Sequence, residues 1–98
     1  MPKGYVLAEV EITDPASFAE YGKQVAPTVH AYGGRYLVRG GDAQRMEGDH
    51  PARRFVVLEF PSPERAREWY DSQDYKPARD LRFSCAKTQL FIVAGVET

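Results

Sequence analysis

The sequence predicts an α+β domain built in the order βαββαβ, with an antiparallel sheet and helices against one of its faces. Three observations predict it. Several segments alternate apolar and polar residues with the period of two that a strand requires; two aspartate- or serine-proline signals mark helix starts; and both halves of the chain repeat the order strand, helix, strand. With 98 residues the chain supports one domain, 1–98, and one modest core.

From Tyr5 to Ile12, Val6, Ala8, Val10 and Ile12 alternate with Tyr5, Leu7, Glu9 and Glu11, which marks the first strand. Asp14 is placed to accept a hydrogen bond from an orphan N–H at the next helix start, and Pro15 fits the first helical position because it lacks a donor that would be unpaired anyway. Phe18, Tyr21, Val25, Val29 and Tyr32 then recur at spacings of three and four and share one helix face. Pro27 is expected to kink this helix, and Gly33-Gly34 to end it. Arg35–Arg39 reads as the second strand and Arg53–Phe60 as the third, joined by a loop over 40–52 that is longer than an ordinary hairpin connection. Ser62-Pro63-Glu64 repeats the helix-start signal for a helix that turns Ala66, Trp69 and Tyr70 inward. Asp74–Pro77 interrupts it, a short helix follows over 78–84, and 88–94 forms the last strand.

Right-handed crossovers in this order place both helices on one side of the sheet, the split βαβ arrangement of ferredoxin-like folds. One strand face collects Val6, Ala8, Val10, Tyr36, Val38, Val56, Leu58, Phe60, Leu90 and Ile92. The other still carries Leu7, Leu37, Phe55, Val57, Phe91 and Val93. Two helices shield one face only, and an open apolar face of that size exceeds what soluble monomers show. A second copy related by a twofold axis is the expected cover, so the chain is read as a homodimer.

The stretches Tyr32-Gly33-Gly34-Arg35-Tyr36-Leu37-Val38-Arg39-Gly40-Gly41 and Val57-Leu58-Glu59-Phe60-Pro61-Ser62, together with Trp69-Tyr70 and Tyr75, resemble domain of unknown function family 1330. That family of bacterial proteins of about a hundred residues lies within the dimeric α/β-barrel (ferredoxin-like) superfamily. The resemblance spans nearly the whole chain and implies the fold and the homodimer. It brings no catalytic residues with it. The wider superfamily includes cofactor-free monooxygenases, haem-degrading enzymes, lactone isomerases and ligand-sensing modules. The haem-degrading members use a pocket asparagine, and this chain has none.

Four charged residues stand out on otherwise apolar strands: Glu9, Arg35, Arg39 and Glu59. The third strand is expected between the first and second, so that Arg35 or Arg39 reaches Glu59 and Glu59 reaches Glu9. A carboxylate between Leu58 and Phe60 must be paired or become harder to ionise, which makes Glu59 the candidate general acid or base. Arg39, with its planar fork of donors, is the candidate to hold a substrate carboxylate or enolate. Tyr32, Trp69 and Tyr75 are expected to hold the ligand, with Tyr75 at the pocket mouth and Arg35 and Glu9 contributing. The competing reading makes the charged set structural ion pairs at the sheet or dimer seam, and the aromatics core.

Thirteen basic against fourteen acidic residues give a net charge of −1, too weak a field to argue for nucleic acid or an anionic membrane. No apolar run is long enough to span a bilayer, the start lacks the apolar region of a signal peptide, and the lone Cys85 fits a reducing compartment, so a cytoplasmic location is expected. His30 and His50 have no neighbouring ligand at metal spacing, and no phosphate loop, dinucleotide fingerprint or serine elbow is present. The function expected is therefore binding of a small organic anion or aromatic carbonyl compound, with cofactor-independent proton transfer or oxygenation at Glu59 and Arg39. The alternative is a non-catalytic ligand-sensing or assembly module. No cofactor and no metal are expected.

Overall fold

A computed structural model describes residues 2–97. In chain order it contains β1 (Gly4–Ile12), α1 (Pro15–Ala31), β2 (Arg35–Arg39), β3 (Arg54–Phe60), α2 (Pro63–Asp71), α3 (Lys76–Cys85) and β4 (Ala86–Ala94). The caps sit where the sequence puts them. Asp14 Oδ1 accepts from the Ser17 N–H at 3.3 Å, and Ser62 Oγ accepts from the Arg65 N–H at 3.0 Å. At the end of α1, Gly33 takes φ +79°; its N–H donates to His30 O and that of Gly34 to Val29 O, which closes the helix as a Schellman turn.

Several boundaries differ from expectation by one or two residues: β3 starts at Arg54, α3 spans Lys76–Cys85 and β4 starts at Ala86. α1 is helical through Pro27 to Ala31. The interruption after α2 covers 72–75, two residues earlier than Asp74–Pro77, because Pro77 lies in the first turn of α3, where a missing N–H costs nothing. The break is instead organised by Ser72, whose hydroxyl donates to Trp69 O at 2.8 Å and accepts from the Tyr75 N–H at 3.1 Å. Three helices rather than two therefore pack on the sheet side.

The sheet is fully antiparallel with strand order β2-β3-β1-β4, the ferredoxin-like arrangement. β1 pairs with β3 so that Val6 faces Leu58 and Leu7 faces Val57; on its other side Val6 faces Ile92 and Leu7 faces Phe91. The helix-side face therefore carries Val6, Ala8, Val10, Leu58, Phe60 and Ile92. These pack with Val25, Val29, Ala66, Trp69, Tyr75 and Ala78 into the core. Leu7, Phe55, Phe91 and Val93 lie exposed on the open face.

One strand breaks the simple alternation. Between Tyr36, which faces Leu58, and Val38, which faces Val57, β2 carries a bulge. The extra residue shifts the side-chain phase by one. Val38, expected beside Val6, lies instead on the open face with Val57, and Arg39, opposite Val56, turns to the helix side together with Tyr36.

Candidate functional site

α1 leans on α3 rather than lying flat on the sheet, and the gap beneath its N-terminal half is a cavity of about 160 Å³. Val6, Val10, Val56, Leu58 and Leu90 form its floor, Phe18, Tyr21, Gly22 and Val25 its α1 wall, and Trp69 and Tyr75 one end. Its polar groups are three phenols, Tyr21, Tyr36 and Tyr75, and three guanidinium groups, Arg39, Arg54 and Arg82. No carboxylate or imidazole lines it.

Each arginine reaches the cavity for a local reason. Arg82 falls on the inward stripe of α3 with Ala78 and Cys85, at spacings of four and three, so the helix carries it into the interior, where it is 4 % exposed. Its guanidinium carbon lies 5.2 Å from the Phe83 ring centroid, and its Nε–H is buried with no hydrogen-bond partner. Arg54, at the start of β3, lies 5.5 Å from the Phe18 ring centroid and also has a buried, unpartnered Nε–H. Its guanidinium packs on Gly40, where φ is +71° and any side chain would collide with it. Arg39 stacks 4.3 Å over the Tyr36 ring and donates from Nη2 to Gly22 O at 3.0 Å.

The phenols are donors. Burial pushes the Tyr21, Tyr36 and Tyr75 hydroxyls above their ordinary range, only partly offset by Arg82 beside Tyr21 and Tyr75 and by Arg39 beside Tyr36, so all three stay protonated at neutral pH. Tyr21 Oη and Tyr75 Oη are 3.0 Å apart. The Tyr75 ring stacks on Trp69 at 4.1 Å, and Trp69 Nε1 donates to Thr28 Oγ1 at 3.0 Å. Permanent cations with unmatched donors, set among protonated phenols and apolar walls, suit an anionic guest and the stabilisation of negative charge developing on it.

The structure separates the predicted site residues. Arg39, Trp69 and Tyr75 line the cavity; Tyr75, expected at the mouth, is wholly buried in its wall. Glu59 lies on the opposite face of the sheet from Arg39, so the two do not form a proton-transfer pair; the bulge in β2 is the physical reason. Glu59 accepts instead from Arg35 Nε at 2.8 Å and from Tyr5 Oη at 3.0 Å. These two donors hold its carboxyl below the ordinary range, so of the two outcomes expected of Glu59 it is the pairing, with Arg35, that the structure shows. Glu9 does not reach Glu59 either: its Oε2 lies 2.6 Å from Nε2 of His50, which returns from the long loop over 40–52. Tyr32 is outside the cavity, donating to Asp74 Oδ2 at 3.3 Å beneath the guanidinium of Arg65. Arg54 and Arg82 were not anticipated. The inward helical spacing of Arg82 with Ala78 and Cys85 was the available signal. Among the described residues, no cluster of three or more His, Cys, Asp or Glu is placed to hold a metal.

The family model for a domain of unknown function, DUF1330, matches residues 3–96 of the 98. The chain belongs to the DUF1330 family. No curated protein matches this DUF1330 chain. Among solved structures it is similar to a protein of unknown function from Rhodopseudomonas palustris, with a TM-score of 0.80 at 17% identity over 99% of this chain and 85% of that one. It is also similar to SnoaB, a cofactor-independent oxygenase from Streptomyces nogalater, with a TM-score of 0.71 at 11% identity over 100% and 97%. A conserved protein from Methanosarcina mazei has a TM-score of 0.62 at 17% identity over 98% and 95%. These likenesses show that the DUF1330 chain shares the ferredoxin-like fold of these proteins.

Proposed function

We propose that this DUF1330 protein is a cytoplasmic homodimer that binds one small organic anion or aromatic carbonyl compound per subunit, in the cavity between α1 and the sheet. The observation that carries the reading is the set of three arginines on a cavity without a carboxylate, two of them with buried Nε–H groups that lack an acceptor. Buried donors in native proteins are nearly always paired, so a site that leaves two of them unmatched is built for a guest that brings the acceptors. Dimerisation is supported by the open face, where Leu7, Val38, Phe55, Val57 and Phe91 surround a shallow apolar depression of about 440 Å³ and Phe91 is 61 % exposed. The pairs Arg35–Glu59 and His50–Glu9 lie on that same face, which favours a structural role at the seam for the charges first considered catalytic.

A second reading, cofactor-independent oxygenation of the bound compound, is supported by the fold shared with SnoaB and by the grouping of Arg82 with the hydrogen-bonded phenols of Tyr21 and Tyr75. In it a substrate with its own acidic C–H loses that proton to water, the arginines stabilise the enolate left behind, and dioxygen oxidises it, one oxygen atom entering the product and the other leaving as water.

Calorimetric titration of organic anions and aromatic carbonyl compounds, on the native protein and on Gly22→Phe, tests the binding reading. Gly22 lines the cavity, and a Cβ there meets only ordinary contact, 3.6 Å from Arg39 Nη2, so the position accepts a side chain on the cavity wall; the circular dichroism of the variant checks that it folds. Binding to the native protein and none to Gly22→Phe is expected; equal binding to both refutes the site. Sedimentation of Leu7→Arg, which buries a charge at the centre of the open face, is expected to give monomers where the native chain gives dimers.

A further inference from the structure

Resting on the cavity reading above, we infer that the guest is a single-ring aromatic carboxylate, seated with its carboxylate on Arg82 and Arg54 and its ring against the aromatic end formed by Tyr75 and Trp69. Size sets the first limit. About 160 Å³ is close to the roughly 150 Å³ of an apolar cavity known to take up benzene, so one six-membered ring with a small substituent fills it and a fused polycycle does not.

Charge sets the second. Arg82 is 4 % exposed, and its buried Nε–H has no hydrogen-bond partner on a cavity that no carboxylate lines. Arg54 adds a second orphan Nε–H on the same cavity. A planar carboxylate matches the planar guanidinium fork, and its two oxygens supply the acceptors that both groups lack.

The walls set the third. Apart from the arginines the lining is apolar or aromatic, and Tyr75, stacked on Trp69 at 4.1 Å, gives the cavity wall an aromatic surface. An aliphatic acid of similar size leaves that surface without an offset-stacked partner. An inorganic oxyanion leaves the apolar floor empty.

The test is calorimetric titration with benzoate, with benzamide as the uncharged isostere, and with inorganic phosphate. It uses the native protein, Arg82→Met, Arg54→Met, and Arg67→Met as a control on the exposed face of α2, where Arg67 pairs with Asp71 at 2.7 Å. Benzoate is expected to bind native protein and Arg67→Met alike, at least tenfold more tightly than benzamide or phosphate, and to lose at least tenfold in both Arg82→Met and Arg54→Met. Benzamide binding as tightly as benzoate, phosphate binding as tightly as benzoate, or benzoate affinity unmoved in both variants overturns the inference. If benzoate does not bind while another organic compound does and is blocked by Gly22→Phe, this assignment falls and the cavity reading stands. If Gly22→Phe blocks nothing, both fall.

Discussion

A buried cation held ready for a guest makes the empty protein less stable than it need be, and Arg82→Met measures by how much. Methionine keeps the length and apolar volume of the arginine stem and removes the guanidinium, whose Nε–H is buried without a partner. Leaving one buried donor unsatisfied costs about 1–3 kcal/mol. Against this stands the lost stacking of the guanidinium on Phe83, at 5.2 Å from its centroid, worth about 0.5–1 kcal/mol. The net expectation for the ligand-free protein is a stabilisation of about 1 kcal/mol, which for a domain of this size raises the melting temperature by roughly 4–8 °C. Scanning calorimetry of both proteins at neutral pH, at matched concentration, reads it directly. Benzoate at a hundred times its dissociation constant for the native protein is expected to add about 2.7 kcal/mol to the native protein and no more than about 1.4 kcal/mol to a variant that binds it at least tenfold more weakly, so the variant's advantage disappears with ligand present. A ligand-free Arg82→Met that melts several degrees below the native protein refutes the reasoning, because it shows the guanidinium to be a satisfied part of the core.

Three further outcomes follow from groups around the cavity and the open face. Glu59 has its pKa depressed by Arg35 and Tyr5, so its ionised form stabilises the fold above the ordinary carboxylate pKa of 4.5, and that contribution is lost as pH falls through its lower folded value. Glu59→Gln is therefore expected to be less stable than the native protein at pH 7, with a difference that shrinks as the pH falls below 4.5; a difference that stays constant as the pH falls contradicts the pairing. Gly40→Ala forces an L-residue into φ +71° at a cost of roughly 1–2 kcal/mol and displaces the Arg54 guanidinium, so it is expected to lower both the melting temperature and benzoate affinity. Cys85, whose thiol burial pushes up, is expected to resist aromatic disulfide reagents at pH 8 until the protein unfolds; fast reaction of the native protein contradicts its burial.

Much of the fold is legible in the sequence because its cues are local. Asp14-Pro15 and Ser62-Pro63 cap the two helices they were read to start, and the alternation of Val6, Ala8 and Val10 fixes which face of β1 meets the helices. The site is less legible because it depends on phase. Alternation read straight through Arg35–Arg39 puts Arg35, Leu37 and Arg39 on one face, with Glu59 beside them. No glycine or proline within β2 announces the bulge that breaks this pattern. Arg82 escaped notice for a different reason. A charged residue on an inward helical stripe runs against the rule that places charge outside, and such conflicts concentrate at functional sites.

The bulge decides more than where one side chain points. It divides the charged residues of the sheet into two sets with different chemistry. On the open face, Glu59 is held by Arg35 and Glu9 by a hydrogen bond to His50, so both carboxylates already have a partner within the chain when a second sheet covers them. On the helix face, Arg39 joins Arg54 and Arg82 on a cavity that no carboxylate lines. Had Arg39 stayed in phase with Arg35, the open face would carry a second arginine at the proposed seam and the cavity would lose one of its three. A single inserted residue in β2 thus makes one face fit for self-association and leaves the other to a guest that carries its own negative charge.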